Sequence, residues 1–291
     1  MAENLNKNDA FTAFSLATAV AFAFQLALVG VASDLSGAAY FWVNGAYGLV
    51  ICLAVVAFFA FFRRKNLLAA LRVKTRFNAL HVAVLLVAVT LLVMVSVPVN
   101  EWVFDFIEGL GLKRPTVSLT EEDVQNHLLL AVAVVCVLPA LCEEVVFRGF
   151  VFGGFQRNFG TVKACLLSGA LFSLFHLNPA QTLHQFVLGA LLALFVGRSG
   201  SLLTAVVGHL YNNLFALFAG GLFAEDGFFA KHTLLVAAIC AAALVGTVAV
   251  YFVKTRRDEQ KQSEKTSQAE LALFLVAVAV LAAMWVGVLL A

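Results

Sequence analysis

Long apolar runs joined by short polar connections occupy nearly the whole chain. The runs cover residues 10–32, 41–62, 79–100, 125–155, 162–178, 182–197, 202–222, 232–253 and 270–290. A helix needs about 20 predominantly apolar residues to cross the hydrocarbon core. The pattern therefore predicts an all-α, polytopic transmembrane helical bundle of eight or nine spans. The fifth and sixth runs are short for full crossings. Asn178-Pro179 punctuates the turn between them, since proline cannot continue a helix and restrains the residue before it. No internal repeat is visible, which counts against a transporter built from inverted repeats. Three regions follow: N-terminal spans in 1–124, central helices in 125–222, and C-terminal spans in 223–291 with a polar loop at 254–268.

Composition supports the pattern. Of 291 residues, 62% are hydrophobic and 12% charged, with a mean hydropathy of +0.96, more apolar surface than a soluble fold can hide. The net charge of +2 is too small to argue for a nucleic-acid partner; the lipid bilayer is the partner that this composition implies. Positions matter more than totals. Arg63, Arg64, Lys65, Arg72, Lys74 and Arg76 follow the second run, Arg157 and Lys163 the fourth, and Arg198 the sixth. Lys254, Arg256, Arg257, Lys261 and Lys265 follow the eighth, while the alternate connections hold only Lys113, Arg114 and Lys231. The positive-inside rule then puts the N-terminus in the cytoplasm of a multi-pass protein of the cell membrane. The first run is long and lacks a basic leader, so it reads as a retained anchor rather than a cleaved signal peptide. The five cysteines (Cys52, Cys136, Cys142, Cys165, Cys240) are scattered in apolar runs without a CxxC pair, which argues against a disulfide framework or structural zinc.

The fourth run holds the polar residues that composition does not explain. From Leu128 to Phe155 its only formal charges are Glu143, Glu144 and Arg148. Each costs roughly 2.5–3.5 kcal/mol at the centre of a membrane helix on insertion scales, so a role is expected. Its helix should begin near 121, with Thr120 as N-cap after Pro115. Pro139 should kink it and free the Val135 carbonyl near the acids. Glu144 and Arg148, four apart with the acid first, should pair, leaving Glu143 about 100° away without that partner. Gly149 and Gly153 form a small-xxx-small pair suited to close helix approach.

The fifth run carries Phe172-x-x-x-His176. Counted from the turn at Asn158-Phe159-Gly160, Glu143 and His176 both lie roughly 20–25 Å along adjacent antiparallel helices, hence at one depth. The seventh run adds His209 and Asn213, four apart on one face. An acid, two imidazoles and an amide thus converge from three helices. His81, His127 and His232 stand at span edges, where an interfacial position accounts for them, and His184 could approach the site from the start of the sixth run.

Glu143-Glu144-x-x-x-Arg148, Phe172-x-x-x-His176 and His209-x-x-x-Asn213 together resemble the motifs of the CPBP family of intramembrane proteases, which includes the CAAX prenyl endopeptidases and bacterial members linked to bacteriocin maturation and self-immunity. Gly189, Gly197 and Arg198-Ser-Gly-Ser201 extend the likeness, which covers about residues 125–215. The resemblance implies hydrolysis of a peptide bond in a membrane-embedded or lipid-anchored peptide or protein. It implies that Glu143 and His176 activate water, that His209 and Asn213 stabilise the oxyanion, and that Glu144, Arg148 and Phe172 support them. No cofactor is favoured. Zinc on Glu143, His176 and His209 stays open, since two His and one Glu match some catalytic zinc sites, although the HExxH arrangement is absent. A proton- or cation-coupled transporter using the same residues as a relay, or a non-catalytic immunity or partner-binding protein on this scaffold, are the competing readings.

Overall fold

The first helix starts where its sequence supplies a reciprocal cap. The Asn6 side chain accepts from the Asp9 amide while the Asp9 carboxylate accepts from the Asn6 amide, satisfying two donors that a helix start leaves open. In this computed structural model, which describes residues 5–29, 37–72, 78–112, 121–218, 228–255 and 264–290, every regular element is helical. The helices are α1 (Lys7–Leu28), α2 (Gly37–Phe62), α3 (Leu67–Ala70), α4 (Ala79–Gly109), α5 (Glu121–Asn126) and α6 (Leu128–Phe159). They continue with α7 (Thr161–Phe175), α8 (Thr182–Ser199), α9 (Leu202–Phe218), α10 (Phe228–Lys231), α11 (Thr233–Lys254) and α12 (Gln268–Leu290).

Seven of these are long and apolar enough to cross a membrane, and α7 and α9 are shorter apolar helices. Together they correspond to the nine apolar runs, with two differences in length. The sixth run forms a helix of 18 residues, and the seventh, described as far as Phe218, one of 17. Helix α4 continues to Gly109, past the expected end at 100, with Pro98 inside it. There Asn100, Glu101, Asp105 and Glu108 end the apolar run without ending the helix. Helix α5 is described from Glu121 and breaks at His127 before α6; the expected start, with Pro115 and the proposed cap Thr120, lies at the edge of and outside the described residues.

Helix α6 runs through the centre and contributes Phe147, Phe150, Phe152 and Phe155 to the buried core. Helices α7 and α8 cross almost backbone to backbone. A Cβ on Gly169 would meet Ala190 N at 2.8 Å, and one on Gly189 would meet the Gly169 Cα at 2.8 Å. The expected Gly149/Gly153 pair is used differently: Gly149 faces the Leu71 side chain and Gly153 faces Leu5. The tight helix contact falls instead on Gly154, against the Asn6 carbonyl and Ala10 of α1. Helices α11 and α12 lie at the periphery, with Tyr251, Ala277 and Leu281 as their buried residues and broad exposed Leu, Val and Ile faces suited to lipid.

One end of the bundle collects the basic connections. Lys7 N donates to Asn158 Oδ1, Asn8 bonds to Lys265 and Ser267, Arg63 pairs with Glu270, and Lys65 pairs with buried Asp9 at 3.0 Å. Arg72 reaches the Val196 carbonyl and Gln156; burial, with Arg157 nearby, lowers its guanidinium to about 10, still charged at neutral pH. This clustering follows the alternation of basic connections in the sequence. Lys74, Arg76, Lys113, Arg114, Arg256, Arg257 and Lys261 fall outside the described residues.

Candidate active site

Helix α6 is not a uniform α-helix. Two π-helical stretches, Val132–Val137 and Val145–Phe152, flank the segment Leu138–Glu144 that contains Pro139 and both acids. Proline at 139 cannot donate to the Val135 carbonyl. That carbonyl accepts instead from Asn213 Nδ2 of α9 at 3.3 Å. The helix is thus re-registered around the proline rather than broken, and the freed backbone acceptor fixes a polar side chain from another helix.

Below it lies a buried charge cluster. Arg148 and Glu144 are both fully buried and pair at 2.7 Å, as their spacing requires. The other end of the guanidinium donates to the Gly189 carbonyl at 3.2 Å, and its Cζ sits 4.2 Å from the centre of the Phe172 ring. Glu144 Oε1 also lies 2.7 Å from His209 Nδ1, a contact that spacing did not reveal. Glu144 therefore ties together α6 and α9, while Arg148 ties α6 to α7 and α8.

Glu143 stands apart, as expected. Its Oε2 lies 3.7 Å from His176 Nε2 and 3.9 Å from His209 Nε2, without a hydrogen-bond partner among the described residues. The orientation of both rings follows from their other nitrogen. His176 Nδ1 is 2.8 Å from the Phe172 carbonyl, which can only accept, so Nδ1 carries the hydrogen and a neutral ring presents a bare Nε2. His209 Nδ1 faces the Glu144 carboxylate, which assigns the same tautomer. Two imidazole nitrogens and a carboxylate oxygen thus converge on one point at separations that leave room for a small donor between them.

Glu143 lines two cavities. A cavity of about 620 Å³ is lined by Glu143, His176, His184, His209, Asn212 and Asn213 among others. A second, about 330 Å³, is mostly apolar and lies between α2 and α6, with Tyr47, Ile51, Leu138, Cys142, Val146 and Phe147 in its walls. Val135 and Pro139 belong to both linings, so the candidate acid sits at their common wall.

All seven residues singled out in the sequence come together here: Glu143, His176, His209 and Asn213 around the cavity, with Glu144, Arg148 and Phe172 behind them. Sequence reasoning did not single out Asn212, Ser96 or the Tyr47 wall. The neighbouring Asn212-Asn213 amides in an apolar helix were the available signal for the first; Ser96 and Tyr47 reach the site only through packing. His184, expected only to approach, lines the cavity.

The segment holding these motif residues, 125–215, matches the family model of Rce1-like proteins, described as type II CAAX prenyl endopeptidase Rce1-like. The match supports a CAAX protease family assignment. That family's description is of prenyl endopeptidases, and the seven long apolar helices fit an integral membrane protein. No curated protein matches the chain. As to a metal, no group of three or more His, Cys, Asp or Glu side chains among the described residues is arranged to hold one. Tetrahedral ligands about 2.0–2.1 Å from zinc would stand roughly 3.3 Å apart, closer than Glu143 and the two imidazoles are here.

Proposed function

We propose that this chain is an intramembrane endopeptidase that hydrolyses a peptide bond of a membrane-embedded or lipid-anchored substrate without a tightly bound metal. The observation that carries the reading is the unbonded Glu143 Oε2 facing two imidazole Nε2 atoms at 3.7 and 3.9 Å. A water between them donates one hydrogen to Glu143 and the other to His176. Its oxygen attacks the scissile carbonyl carbon while its proton passes to the Glu143–His176 pair. When the C–N bond breaks, that proton goes to the leaving amine.

The developing oxyanion meets Asn213 and His209. Asn213 uses one amide hydrogen on Val135 and keeps a second for the substrate oxygen. With Nδ1 engaged by Glu144, His209 turns Nε2 towards the substrate oxygen and donates there once that nitrogen takes up a proton during the reaction. Glu144 Oε1 holds the His209 ring through Nδ1, and Arg148 pairs with the same carboxylate oxygen. Phe172 anchors His176 through its carbonyl and Arg148 through its ring. The apolar cavity on the other side of Glu143 suits a hydrophobic side chain or lipid tail of the substrate. By the positive-inside rule the basic end faces the cytoplasm, together with the N-terminus.

The test is mass spectrometry of membrane peptides from cells carrying the wild-type protein or Glu143→Ala. A set of fragments present only with the wild type supports the reading, and identical peptide sets contradict it.

A further inference from the structure

Two of the five cysteines scattered along the sequence come together beside the site. Cys52 of α2 and Cys142 of α6 are free thiols joined by a side-chain hydrogen bond. Cys142 is buried, immediately precedes Glu143 and lines the apolar cavity between the two helices. Cys52 is only part-buried, and its neighbours Leu49 and Leu53 are exposed. The proposed chemistry uses neither sulfur.

Helix packing brings the two thiols together independently of that bond. Along the seam between α2 and α6, a Cβ on Gly45 would lie 3.2 Å from the Val134 side chain. Further along, the Phe59 ring stacks on Phe150 with centroids 4.6 Å apart. Cys52 falls midway between Gly45 and Phe59, and Cys142 midway between Val134 and Phe150. The contacts thus recur every seven residues on α2, the spacing of a continuous helix seam, and every eight on α6. A π-helical turn holds an extra residue, so the stretches Val132–Val137 and Val145–Phe152 take up the difference and keep the helices in step. The thiols are the central rung of this seam.

We propose that Cys52 and Cys142 form a reversible disulfide that clamps α2 to α6 and closes the apolar cavity to substrate, a redox lock set by a lipid-soluble quinone. The inference rests on the peptidase reading, since what the lock controls is cleavage. In the step both S–H bonds break and one S–S bond forms. The two electrons and two protons pass to the quinone, which becomes the quinol. A dithiol reverses the step by exchange and is itself oxidised to a disulfide. A quinone is the fitting oxidant because the pair lies among apolar residues inside membrane-spanning helices, with part-exposed Cys52 as the point of entry. A disulfide holds its two Cβ atoms about 3.5–4.5 Å apart. Tyr47 and Ile51 on one wall, and Leu138 and Val146 on the other, then cannot part to admit a side chain or lipid tail.

The experiment treats wild-type protein in proteoliposomes with duroquinone, whose fully substituted ring disfavours thiol addition, and then washes the quinone out. Mass spectrometry without reductant should find a peptide linked through Cys52 and Cys142. For a peptide that the reduced protein cleaves, kcat/KM should fall by at least about fivefold. Dithiothreitol should reverse both changes. Cys52→Ala, or Cys52→Ser if that variant does not fold, should cleave as the reduced wild type does and ignore the quinone. Absence of the linked peptide, or its presence with unchanged cleavage, would overturn the lock. Equal inhibition of Cys52→Ala would overturn it too, since the quinone would then be acting as an occupant of the cavity. Failure of the reduced wild type to cleave any peptide would overturn the peptidase reading, and the lock with it, whatever the mass spectrum shows.

Discussion

Removing the Arg148 guanidinium should cost more stability than any other single truncation in the site. The side chain is fully buried and serves three partners: Glu144 Oε1 at 2.7 Å, the Gly189 carbonyl at 3.2 Å and the Phe172 ring at 4.2 Å. Arg148→Ala strands Glu144, itself fully buried, with His209 as its remaining partner. Breaking a buried ion pair from one side typically costs about 3–5 kcal/mol. The unpaired Gly189 carbonyl and the lost cation–π contact push towards the upper end, while protonation of Glu144 pulls the other way. Arg148→Lys keeps the charge but cannot reach Glu144 and Gly189 with one fork, so it should fall between. Replacing both partners, Glu144→Gln with Arg148→Met, should recover part of the loss, because no buried charge is then left alone. The assay is denaturant-induced unfolding in detergent for wild type, Arg148→Ala, Arg148→Lys, and the cycle of Glu144→Gln, Arg148→Met and their double variant. An additive cycle, or an unchanged Arg148→Ala midpoint, would refute the argument that this pair is the electrostatic keystone of the site.

Three further outcomes follow from other parts of the molecule. Gly154→Ala should destabilise by about 1–3 kcal/mol, since the new Cβ would run into the Asn6 carbonyl and lie 2.9 Å from the Ala10 Cβ, whereas Gly246→Ala, which faces open space, should be neutral or better; thermal unfolding compares them. Single cysteines placed in the 254–268 loop of a cysteine-free background should resist an impermeant label on intact cells, and cysteines at 221–230 should react; the reverse would invert the topology. Elemental analysis of the purified protein should find no stoichiometric zinc, and chelators should leave cleavage intact; one zinc per chain in the wild type, lost in both His176→Ala and His209→Ala, would replace the mechanism with a metal-dependent one.

The spans and the convergence of the motifs were legible because both rest on counting. Apolar run lengths mark the helices, and the turn at Asn158–Gly160 sets Glu143 and His176 at equal depth. The Glu144–Arg148 pair was legible for the same reason, being a property of one helix. What was not legible depends on rotation between helices. The His209–Glu144 bond fixes which nitrogen of His209 faces Glu143, and no spacing between positions 144 and 209 encodes it. The π-helical stretches shift the phase of α6, so the face expected of Gly149 and Gly153 was displaced and Gly154 received the close contact with α1. Pro139 was correctly read as releasing the Val135 carbonyl, but its partner Asn213 could be named only once α9 was packed beside it.

The central claim is that Glu143 is the group that activates water, and it is tested most directly by Glu143→Gln in a purified, reconstituted system. The substitution preserves shape and the surrounding Glu144–Arg148–His209 cluster while removing the base. Proteoliposomes of wild type and variant, matched for folding by unfolding midpoint, are incubated with a peptide that the wild type cleaves, in H₂¹⁸O, and products are read by mass spectrometry. The account predicts a new C-terminal carboxylate bearing one ¹⁸O with the wild type, and a rate lower by at least about two orders of magnitude with Glu143→Gln, as loss of a general base typically gives. Wild-type turnover by the folded Glu143→Gln variant would contradict it.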